Sequence, residues 1–371
     1  MQNQHIPVLI LAQSGRFLSQ SASQAGYPVW VADCFGDQDT LSCAQRWQAL
    51  PPLSELTQTS LLETLSEITN GEDCTLICGS GIESYYGLLT TLPNNIHLVG
   101  NSAHTINIIK TPILFFGLLK QLRLPYPDTQ FMQPVDDTNW LIKSPKGLGG
   151  NHVKHLNRHP PTTECYFQRH ITGSSGSALF LANGIHAQLL SINKQTLRPY
   201  TDSPFRLGAI EKPWAITEAH RHQLEEAICK ISSKTGLLGL NSLDFIISEQ
   251  GELLLLEINP RPSASAELIG SIVSIFHHHI NACHGSLPDK PIIDTVTKGS
   301  LRYLYARHNY RIPSDVSWPS ECHDLPAAGT LIKKHAPICT SILMINEDQP
   351  LPCKLHDVIE NKIIEQLSSQ T

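Results

Sequence analysis

The segment over residues 242–261 constrains the fold of this chain more than any other. Two apolar runs flank the polar stretch Glu249-Gln250-Gly251-Glu252. A polar break that contains glycine, between runs rich in β-forming residues, predicts a β-hairpin. With a two-residue loop at Gln250-Gly251, the predicted cross-strand pairs are Glu249 with Glu252, Asp244 with Glu257, and Ser242 with Asn259.

The predicted register places two carboxylates opposite each other. Asp244, Glu257 and Asn259 fall on one face of the sheet, because side chains alternate with a period of two. Opposed like charges destabilise a hairpin, and a carboxylate among leucines loses hydration unless it is paired. Two carboxylates and an amide are oxygen ligands that Mg²⁺ takes when it also binds phosphates. We therefore favour a magnesium site. The alternatives are a neutralising Arg or Lys elsewhere, or a register in which one carboxylate faces solvent.

Composition and charge narrow the class of protein. The chain has 371 residues, of which 41% are hydrophobic, and a net charge of -6, which suits a globular protein of two or three domains. No basic cluster could follow a phosphate backbone, so nucleic acid is not an expected partner. No apolar run reaches the length of a membrane span, and residues 1–7 lack the features of a secretory signal. We expect a cytoplasmic protein with no membrane partner.

The first hundred residues alternate predicted strands and helices. Residues 8–12 and 29–33 are apolar strands, and the predicted helix between them covers residues 15–24. This is the pattern of a βαβ unit. A further strand over residues 75–78 ends in a glycine-rich turn, a feature that often faces a ligand crevice. The first turn has no GxGxxG motif, so a dinucleotide site is not predicted.

A strand followed by a glycine-rich loop lies in the middle of the chain. The strand over residues 140–143 ends in Lys143, and Gly147, Gly149 and Gly150 follow. Such a loop lets backbone N–H groups close over phosphates while a lysine supplies positive charge. It is not a Walker A loop, because no Gly-Lys-Ser/Thr follows at the required spacing. Taken alone, these residues fit a mobile surface loop equally well.

Two other segments contain candidate binding groups. Lys110 lies among apolar residues just before a helix, where it binds phosphate or extends to solvent. Gln168, Arg169, His170 and Ile171 follow a predicted strand, and extended backbone at this point can hydrogen-bond the edge of an adenine ring.

Taken together, these segments resemble the ATP-grasp superfamily, and the resemblance covers essentially the whole chain. Its most specific part is the run from Glu257 to Arg261, with an acid thirteen residues upstream. The resemblance implies an α/β and α+β architecture. A Rossmann-like domain would cover residues 1–100, an ATP-grasp domain with a lid near 144–153 would cover 101–287, and a small C-terminal α/β domain would cover 288–371.

The resemblance also implies roles for the candidate residues. The metal ligands, for Mg²⁺ or Mn²⁺ held against the phosphates of ATP, would be Asp244, Glu257 and Asn259. The catalytic candidates are Arg261, which would stabilise the transferring phosphoryl group, and Lys143. The ATP-binding groups would be Lys110, Lys143, the lid glycines Gly147, Gly149 and Gly150, and the hinge residues Gln168, Arg169, His170 and Ile171.

The implied reaction is the ATP-dependent ligation of a carboxylate to an amine. The carboxylate attacks the γ-phosphate to give an acyl phosphate, and the amine then displaces phosphate, so that ADP and phosphate are released. The alternatives are ATP-dependent carboxylation with bicarbonate as the phosphate acceptor, and a nucleotide-binding regulator without turnover. The expected partners are a small-molecule carboxylate and amine, and a homodimer is one assembly compatible with this class.

Within the superfamily, three segments resemble a group of predicted carboligase-type proteins: Ser14-Gly15-Arg16, residues 33–37 and residues 259–265. Some members are associated with bacterial tetrahydromethanopterin- or methylofuran-type one-carbon metabolism, which implies a role in cofactor biosynthesis. Some ligases carry an arginine where this chain has Ser242. Arg261 would then act with another cation, and Lys194 and Arg198 are the candidates.

Overall fold

A computed structural model describes residues 6–136, 138–147, 149–159, 161, 164–269, 272–290, 292, 298–345 and 352–368. Residues 1–5 of the N-terminus and Leu148 of the predicted lid lie outside these ranges. Within them, no helix combines the length and the apolar character that crossing a membrane would need.

Five parallel strands form the first sheet. The strands are β1 Val8–Leu11, β2 Val29–Asp33, β3 Arg46–Ala49, β4 Cys74–Cys78 and β5 Ile96–Leu98, and the helices between them are α1 Arg16–Gln24, α2 Gln38–Leu41 and α3 Gln58–Thr69. Their order in the sheet is β3-β2-β1-β4-β5. Strand β1 is buried along its whole length because apolar clusters cover both faces of the sheet. The predicted Rossmann-like arrangement is confirmed.

The chain reverses its direction of winding beside β1. Strand β2 lies on one side of β1 and strand β4 on the other. In open parallel sheets, the crevice outside the carboxyl ends of the strands at such a point is the usual place for a ligand. The loops that follow β1 and β4 meet there, since Gln13 N donates a 2.7 Å hydrogen bond to Ser80 O.

Two helices lead into a four-stranded antiparallel sheet. The helices are α4 Ala103–Lys110 and α5 Pro112–Gln121, and the strands are β6 Thr129–Gln130, β7 Trp140–Lys143, β8 Val153–His155 and β9 Tyr166–Arg169. The strand order is β6-β9-β7-β8. Pro112 occupies the first turn of α5, where its missing N–H costs nothing, so the chain breaks between the two helices at Thr111. This break leaves Lys110 at the end of α4.

An eight-stranded sheet forms the centre of the molecule. Its first strands are β10 Gly173–Asn183, β11 Ala187–Leu197, β12 Leu207–Lys212, β13 Leu238–Ser248 and β14 Leu253–Asn259, and two long helices, α6 Glu218–Thr235 and α7 Ile272–Cys283, belong to the same unit. Apolar residues of α6 pack with Leu243 and Phe245 of β13, whereas Ile275 of α7 packs with Leu240. The two helices therefore cover opposite faces of the sheet.

The C-terminal unit extends this central sheet. Its elements are β15 Lys298–Tyr305, β16 Tyr310–Arg311, β17 Cys322–His323, β18 Leu331–Ile332, β19 Pro337–Ile345 and α8 Pro352–Ser368. The complete order is β14-β13-β10-β11-β12-β15-β19-β17, and β16 pairs with β18 separately. The unit has its own apolar cluster, in which Ile359 and Ile363 of α8 pack on residues such as Leu304.

Candidate active site

The β13–β14 hairpin brings the predicted metal-binding residues together. Asp244 pairs with Glu257, and Ser242 pairs with Asn259. The side-chain amide of Asn259 donates a 3.3 Å hydrogen bond to Asp244 Oδ2. The predicted register is therefore confirmed at the position of the acids.

The loop of this hairpin differs from the predicted one. Ser248 N donates to Glu252 O and Gly251 N donates to Ser248 O, both at 2.9 Å. The loop thus contains three residues, and Gly251 closes it with φ of 82°, a left-handed conformation that glycine adopts without strain. The prediction of a two-residue loop, with Glu249 opposite Glu252, is wrong.

A β-bulge restores the register beyond the loop. Asp244 pairs with Glu257 but Phe245 pairs with Leu255, so Leu256 is the extra residue. Leu255 lies in the core before the bulge and Ile258 lies in the core after it, which shows that the alternation of faces changes at Leu256. Without the bulge, the longer loop would place Leu256 opposite Asp244 and would turn Glu257 towards the core.

The two acids differ in how strongly they hold a proton. Burial raises the pKa of Asp244 to about 8, and the neighbouring Glu257 carboxylate adds to the rise. Burial acts on Glu257 in the same direction, but the positive charges of Lys110, His152 and Lys143 outweigh it and lower its pKa. The pair therefore keeps one proton near neutral pH, and a cation that replaces this proton would relieve the repulsion.

Lys143 reaches the acids from the other sheet. It ends β7, is buried, and its Nζ donates a 2.8 Å hydrogen bond to Gln168 Oε1. Gln168 is fixed in turn, because its Nε2 donates to Thr129 Oγ1 at 3.1 Å. Burial lowers the pKa of Lys143, whereas the charges of Glu257 and Asp244 raise it. The side chain of Gln168 thus supports Lys143, a role that its place in the sequence did not indicate.

The hinge after β9 has one backbone donor available. Arg169 N donates to Asp128 O at 2.8 Å, and His170 N donates to Asn139 O at 2.7 Å. The N–H of Ile171 has no such partner among the residues that the structure describes. The guanidinium of Arg169 lies 4.3 Å from the centre of the Trp140 ring, so this side chain is held on the four-stranded sheet.

Arg261 is held in place by the first domain. Its Nε donates a 2.8 Å hydrogen bond to Glu83 Oε1, and its Nη1 donates to Pro262 O at 3.1 Å. Glu83 lies just after β4, at the crevice beside β1. The pKa of Arg261 is raised: burial lowers it, but Glu83 and, more weakly, Tyr303 and Asp244 outweigh burial. Arg261 therefore lies between the acid pair and the first domain.

The two cations suggested as partners of Arg261 lie elsewhere. Arg198 donates to both carboxylate oxygens of Glu360 in α8, at 2.9 and 2.6 Å. Lys194 is exposed on β11. Gln195, the next residue, instead contacts the site, because its Nε2 donates to Asp244 Oδ1 at 3.3 Å.

The glycine-rich loop between β7 and β8 rests on the segment before β12. Leu207 N donates a 3.0 Å hydrogen bond to Gly149 O. A Cβ on Gly150, whose φ is +77°, would lie 2.0 Å from Phe205 O, and a Cβ on Gly147 would overlap the ring of His152. Only glycine permits this close approach. The loop is therefore closed over the central sheet.

Three aromatic rings join the loop, the hinge and the central sheet. Their centres are 5.1 Å apart for His155 and Phe205, 5.3 Å for His155 and His170, and 5.6 Å for His170 and Phe205. His155 belongs to β8, His170 to the hinge, and Phe205 to the segment before β12. These contacts add to the hydrogen bond at Gly149 in holding the loop closed.

The residues present fit a divalent cation that also binds phosphate. Two carboxylates and an amide oxygen are hard ligands. The two carboxylates hold one proton between them near neutral pH, and a divalent cation could take its place. Among the described residues, no three or more His, Cys, Asp or Glu side chains are grouped to hold a metal ion. Phosphate oxygens and water would therefore complete the coordination, as Mg²⁺ commonly requires.

Two residues that contact this site could not be recognised from the sequence. Glu83 follows the glycine-rich end of β4, a position that marked the crevice but not this particular acid. Gln195 lies in a long strand with no feature that distinguishes it from its neighbours. Both act on residues far away in sequence, since Glu83 and Arg261 are separated by 178 positions.

Comparisons with known proteins agree on the fold. A family model described as the ATP-grasp domain matches residues 113–265. N5-carboxyaminoimidazole ribonucleotide synthetase from Thermotoga maritima is 15% identical, with a TM-score of 0.63 and coverage of 98% of both chains. L-amino acid ligase from Bacillus licheniformis is 12% identical, with a TM-score of 0.68 and the same coverage of both chains.

A third similar structure is the biotin carboxylase domain of 2-oxoglutarate carboxylase from Hydrogenobacter thermophilus, in complex with MgADP, ADP and bicarbonate. It is 12% identical, with a TM-score of 0.71, and the match covers 91% of this chain and 86% of that one. At these identities the likeness shows the fold alone. No curated protein matches the sequence.

Proposed function

Residues 113–265 form an ATP-grasp domain, and on this premise we propose that the protein is an ATP-dependent ligase that joins a carboxylate to an amine. The carboxylate would be activated as an acyl phosphate, and ADP and phosphate would be released. The observation that carries the proposal is the Asp244–Glu257 pair, which lies in register on β13–β14 and within the field of Lys143 from the facing sheet.

The phosphates of ATP would lie between the two sheets. Lys110 and Lys143 supply positive charge near the acid pair, and phosphoryl transfer depends mainly on such positioning and charge neutralisation. Gly147, Gly149 and Gly150 let the loop approach the nucleotide closely and exclude water. When bound with the nucleotide at Asp244, Glu257 and Asn259, Mg²⁺ or Mn²⁺ would neutralise charge on the phosphates.

The adenine ring would lie at the hinge formed by Gln168, Arg169, His170 and Ile171. Ile171 is half-buried, and among the described residues its N–H is the donor that this segment leaves available. Because the N–H groups of Arg169 and His170 already have partners, we assign them to holding the hinge and not to contacting adenine directly.

Arg261 would act at the transferring phosphoryl group. Its Nε and Nη1 hold Glu83 and Pro262, while Nη2 has no partner among the described residues. A guanidinium fixed in this way binds a carboxylate or phosphoryl oxygen without first losing conformational freedom. Glu83 would thus orient Arg261 towards the acyl phosphate.

The test is a screen for ADP release with Mg-ATP and pooled carboxylates and amines, followed by mass analysis of the product. The proposal expects ADP release only when a carboxylate and an amine are both present. Glu257→Gln should abolish this release, and Glu249→Gln, at an exposed acid of the same hairpin, should retain it. ADP formation that needs bicarbonate and incorporates its label would instead establish the carboxylase alternative.

If Mg-ATP did not raise the melting temperature of the protein, the ligase, the carboxylase and the nucleotide-binding regulator would all be contradicted. The domain limits 1–100, 101–287 and 288–371, the cytoplasmic location, the homodimer and the link to one-carbon cofactor biosynthesis stay predictions.

A further inference from the structure

A second group of carboxylates lies where the first domain, the central unit and the C-terminal unit meet. Its members, here called the acidic cluster, are Asp37, Asp39, Glu267 and Asp324. Asp37 and Asp39 lie just beyond β2, Glu267 lies in a short 3₁₀ helix after β14, and Asp324 directly follows β17. The cluster surrounds Arg16, the first residue of α1, at the carboxyl end of β1.

Arg16 is already committed to two of these acids. Both of its Nη atoms donate to Glu267, and its Nε and Nη2 donate to Asp324 at 3.1 and 3.0 Å. Only 3% of Arg16 is exposed. Its N–H groups are therefore not free to bind an anionic ligand, and the cluster is not a carboxylate or phosphate site.

Asp39 and Asp324 have structural partners as well. Asp39 accepts hydrogen bonds from the backbone N–H groups of Asp324 and Leu325, at 2.9 and 3.0 Å. Asp324 also accepts from Thr340 Oγ1 at 2.6 Å and from Ser14 Oγ at 3.2 Å. These contacts tie the C-terminal unit to the first domain, and they account for three of the four acids.

Asp37 is the acid of the cluster for which the described residues supply no partner. It stands at the N-cap of α2, where an aspartate usually accepts a hydrogen bond from the helix backbone, yet its side chain does not cap. It is 94% buried, since 6% of its surface is exposed, and no hydrogen bond or ion pair from the described residues reaches its carboxylate. Thr40 Oγ1, in the same helix, is buried and has no partner either.

The surroundings of Asp37 are negative. Burial raises its pKa to about 8, and the charges of Asp324, Asp33 and Asp39 raise it further against the opposing effect of Arg16. Four carboxylates of the cluster thus share one guanidinium. A buried acid in this position needs a proton or a cation. The N–H of Gln38, the next residue, donates to Leu325 O at 2.8 Å, which places Asp37 beside Asp324 and the rest of the cluster.

The cluster lies near the proposed phosphoryl end of the candidate active site. Tyr303 lies close enough to Glu267, Asp324 and Arg261 for each to affect its pKa, which burial raises. Arg261 in turn lies near Asp244. The side chain of Asp324 is 24% exposed, so solvent reaches the cluster. The acidic cluster also lies at the carboxyl end of β1, where parallel sheets of this type bind ligands.

We propose that the acidic cluster binds a positively charged ammonium or guanidinium group of the amine substrate, with Asp37 as the carboxylate that pairs with it. The inference rests on the proposed ligase function, because it names the class of amine for that same site. The nitrogen that attacks the acyl phosphate must be neutral, so the bound cation is a second group. The substrate class is therefore a diamine or another amine with an additional basic group.

The test uses the full chain and two probes, putrescine and agmatine, with 1,4-butanediol as the uncharged counterpart of putrescine. Binding is measured by calorimetry on the wild type and on three variants: Asp37→Asn, Asp37→Glu and Asp73→Asn. Asn has the shape of a protonated Asp but cannot become negative, so Asp37→Asn should keep the fold and remove only the charge that would pair with a cation. Asp73 is an exposed acid of the same domain, with a side chain that is 73% exposed.

We expect at least one of the two amines to bind the wild type more tightly than the diol by at least about tenfold, as one desolvated charge pair provides. Asp37→Asn should lose this advantage, Asp37→Glu should keep most of it, and Asp73→Asn should match the wild type. Equal amine binding by the wild type and Asp37→Asn would overturn the proposal, and so would amines that bind no better than the diol.

Mg-ATP binding is measured in parallel, so that the two proposals fail separately. Asp37→Asn should retain the Mg-ATP response, whereas Glu257→Gln should lose it and retain amine binding. Absence of Mg-ATP binding in the wild type contradicts the ligase. If the wild type binds Mg-ATP but binds the amines no better than the diol, only the role of the cluster is contradicted.

Discussion

The acid pair of the hairpin and the acidic cluster around Arg16 balance negative charge in different ways. At the hairpin, the ammonium of Lys143 is hydrogen-bonded to Gln168 and acts on Asp244 and Glu257 through its field. In the cluster, the guanidinium of Arg16 is bonded directly to Glu267 and Asp324. The first arrangement leaves both acids open to an added cation.

The difference separates acids that hold the fold together from acids that can meet a ligand. Glu267 and Asp324 are satisfied within the protein, so their removal should harm stability first. Asp244 and Asp37 share a raised pKa of about 8 because burial leaves each without a full counter-charge. We therefore expect substitutions of Glu267 or Asp324 to lower stability more than activity. Substitutions of Asp244 or Asp37 should lower activity more than stability.

The largest effect is expected at the hairpin. Glu257→Gln should lower Mg-ATP-dependent turnover by at least about a hundredfold, because one of the proposed metal ligands loses its charge. The melting temperature should change little, since Asp244 loses the neighbour that raises its pKa and can ionise in place of Glu257. Kinetics and thermal unfolding measure the two effects. Glu249→Gln is the control, and a fully active Glu257→Gln protein would disprove the metal assignment.

Arg16→Met tests the opposite behaviour. We expect a loss of about 3–5 kcal/mol in the free energy of unfolding, because Glu267 and Asp324 lose the guanidinium to which they are bonded. Urea denaturation measures this change. Lys230→Met breaks the exposed pair with Glu226 in α6 and should cost about 1 kcal/mol or less. Equal effects of the two substitutions would show that the cluster does not depend on Arg16.

Asp37→Asn should change how stability depends on pH. The pKa of Asp37 in the folded protein, about 8, lies above its unfolded value, so folding favours the protonated acid. The wild type therefore loses stability as the pH rises from the pKa of an unfolded aspartate to about 8, and the variant lacks this loss. From about pH 5 to about pH 9, the variant should gain roughly 4 kcal/mol relative to the wild type. Parallel stability curves would show that Asp37 is not buried as a neutral acid.

The smallest effect is expected at the hairpin loop. Gly251→Ala should cost about 1 kcal/mol or slightly more, because φ is positive there and no neighbouring atom lies near the added Cβ. Turnover should persist, since the bulge at Leu256 fixes the pairing of the acids. Gly117→Ala, in helix α5 with open space around it, should be neutral or stabilising. Loss of turnover in Gly251→Ala would show that the loop also sets the register.

The sequence predicted the elements whose signals are local. The polar break at Glu249–Glu252 marked the hairpin, and the apolar run of β7 ending in Lys143 marked a strand with the bounds that the structure shows. The bulge was hidden because residues 253–256 are all leucine, so no alternation of apolar and polar residues shows where the face changes. The prediction of the acid pair was correct although the loop was wrong, since the bulge offset the extra loop residue.

The Arg16 network could not be predicted in the same way. Arg16 is separated from Glu267 by 251 positions and from Asp324 by 308. Its partners come from two other units of the fold, and no local pattern selects them from the other acids of the chain. The glycine-rich loop lies between these cases, because its glycines were evident in the sequence but their contact with Phe205 and Leu207 was not.

Because of the bulge at Leu256, the pairing of the two acids does not depend on the tip of the hairpin. Residues 249–251 are exposed, and exposed loop tips are where chains tolerate insertions and new termini. The core contacts of Leu255 and Ile258 on either side of the bulge hold the strands in register without help from the tip. The chain should therefore accept an insertion at Gln250, such as a peptide tag or a tether, while the acids stay aligned.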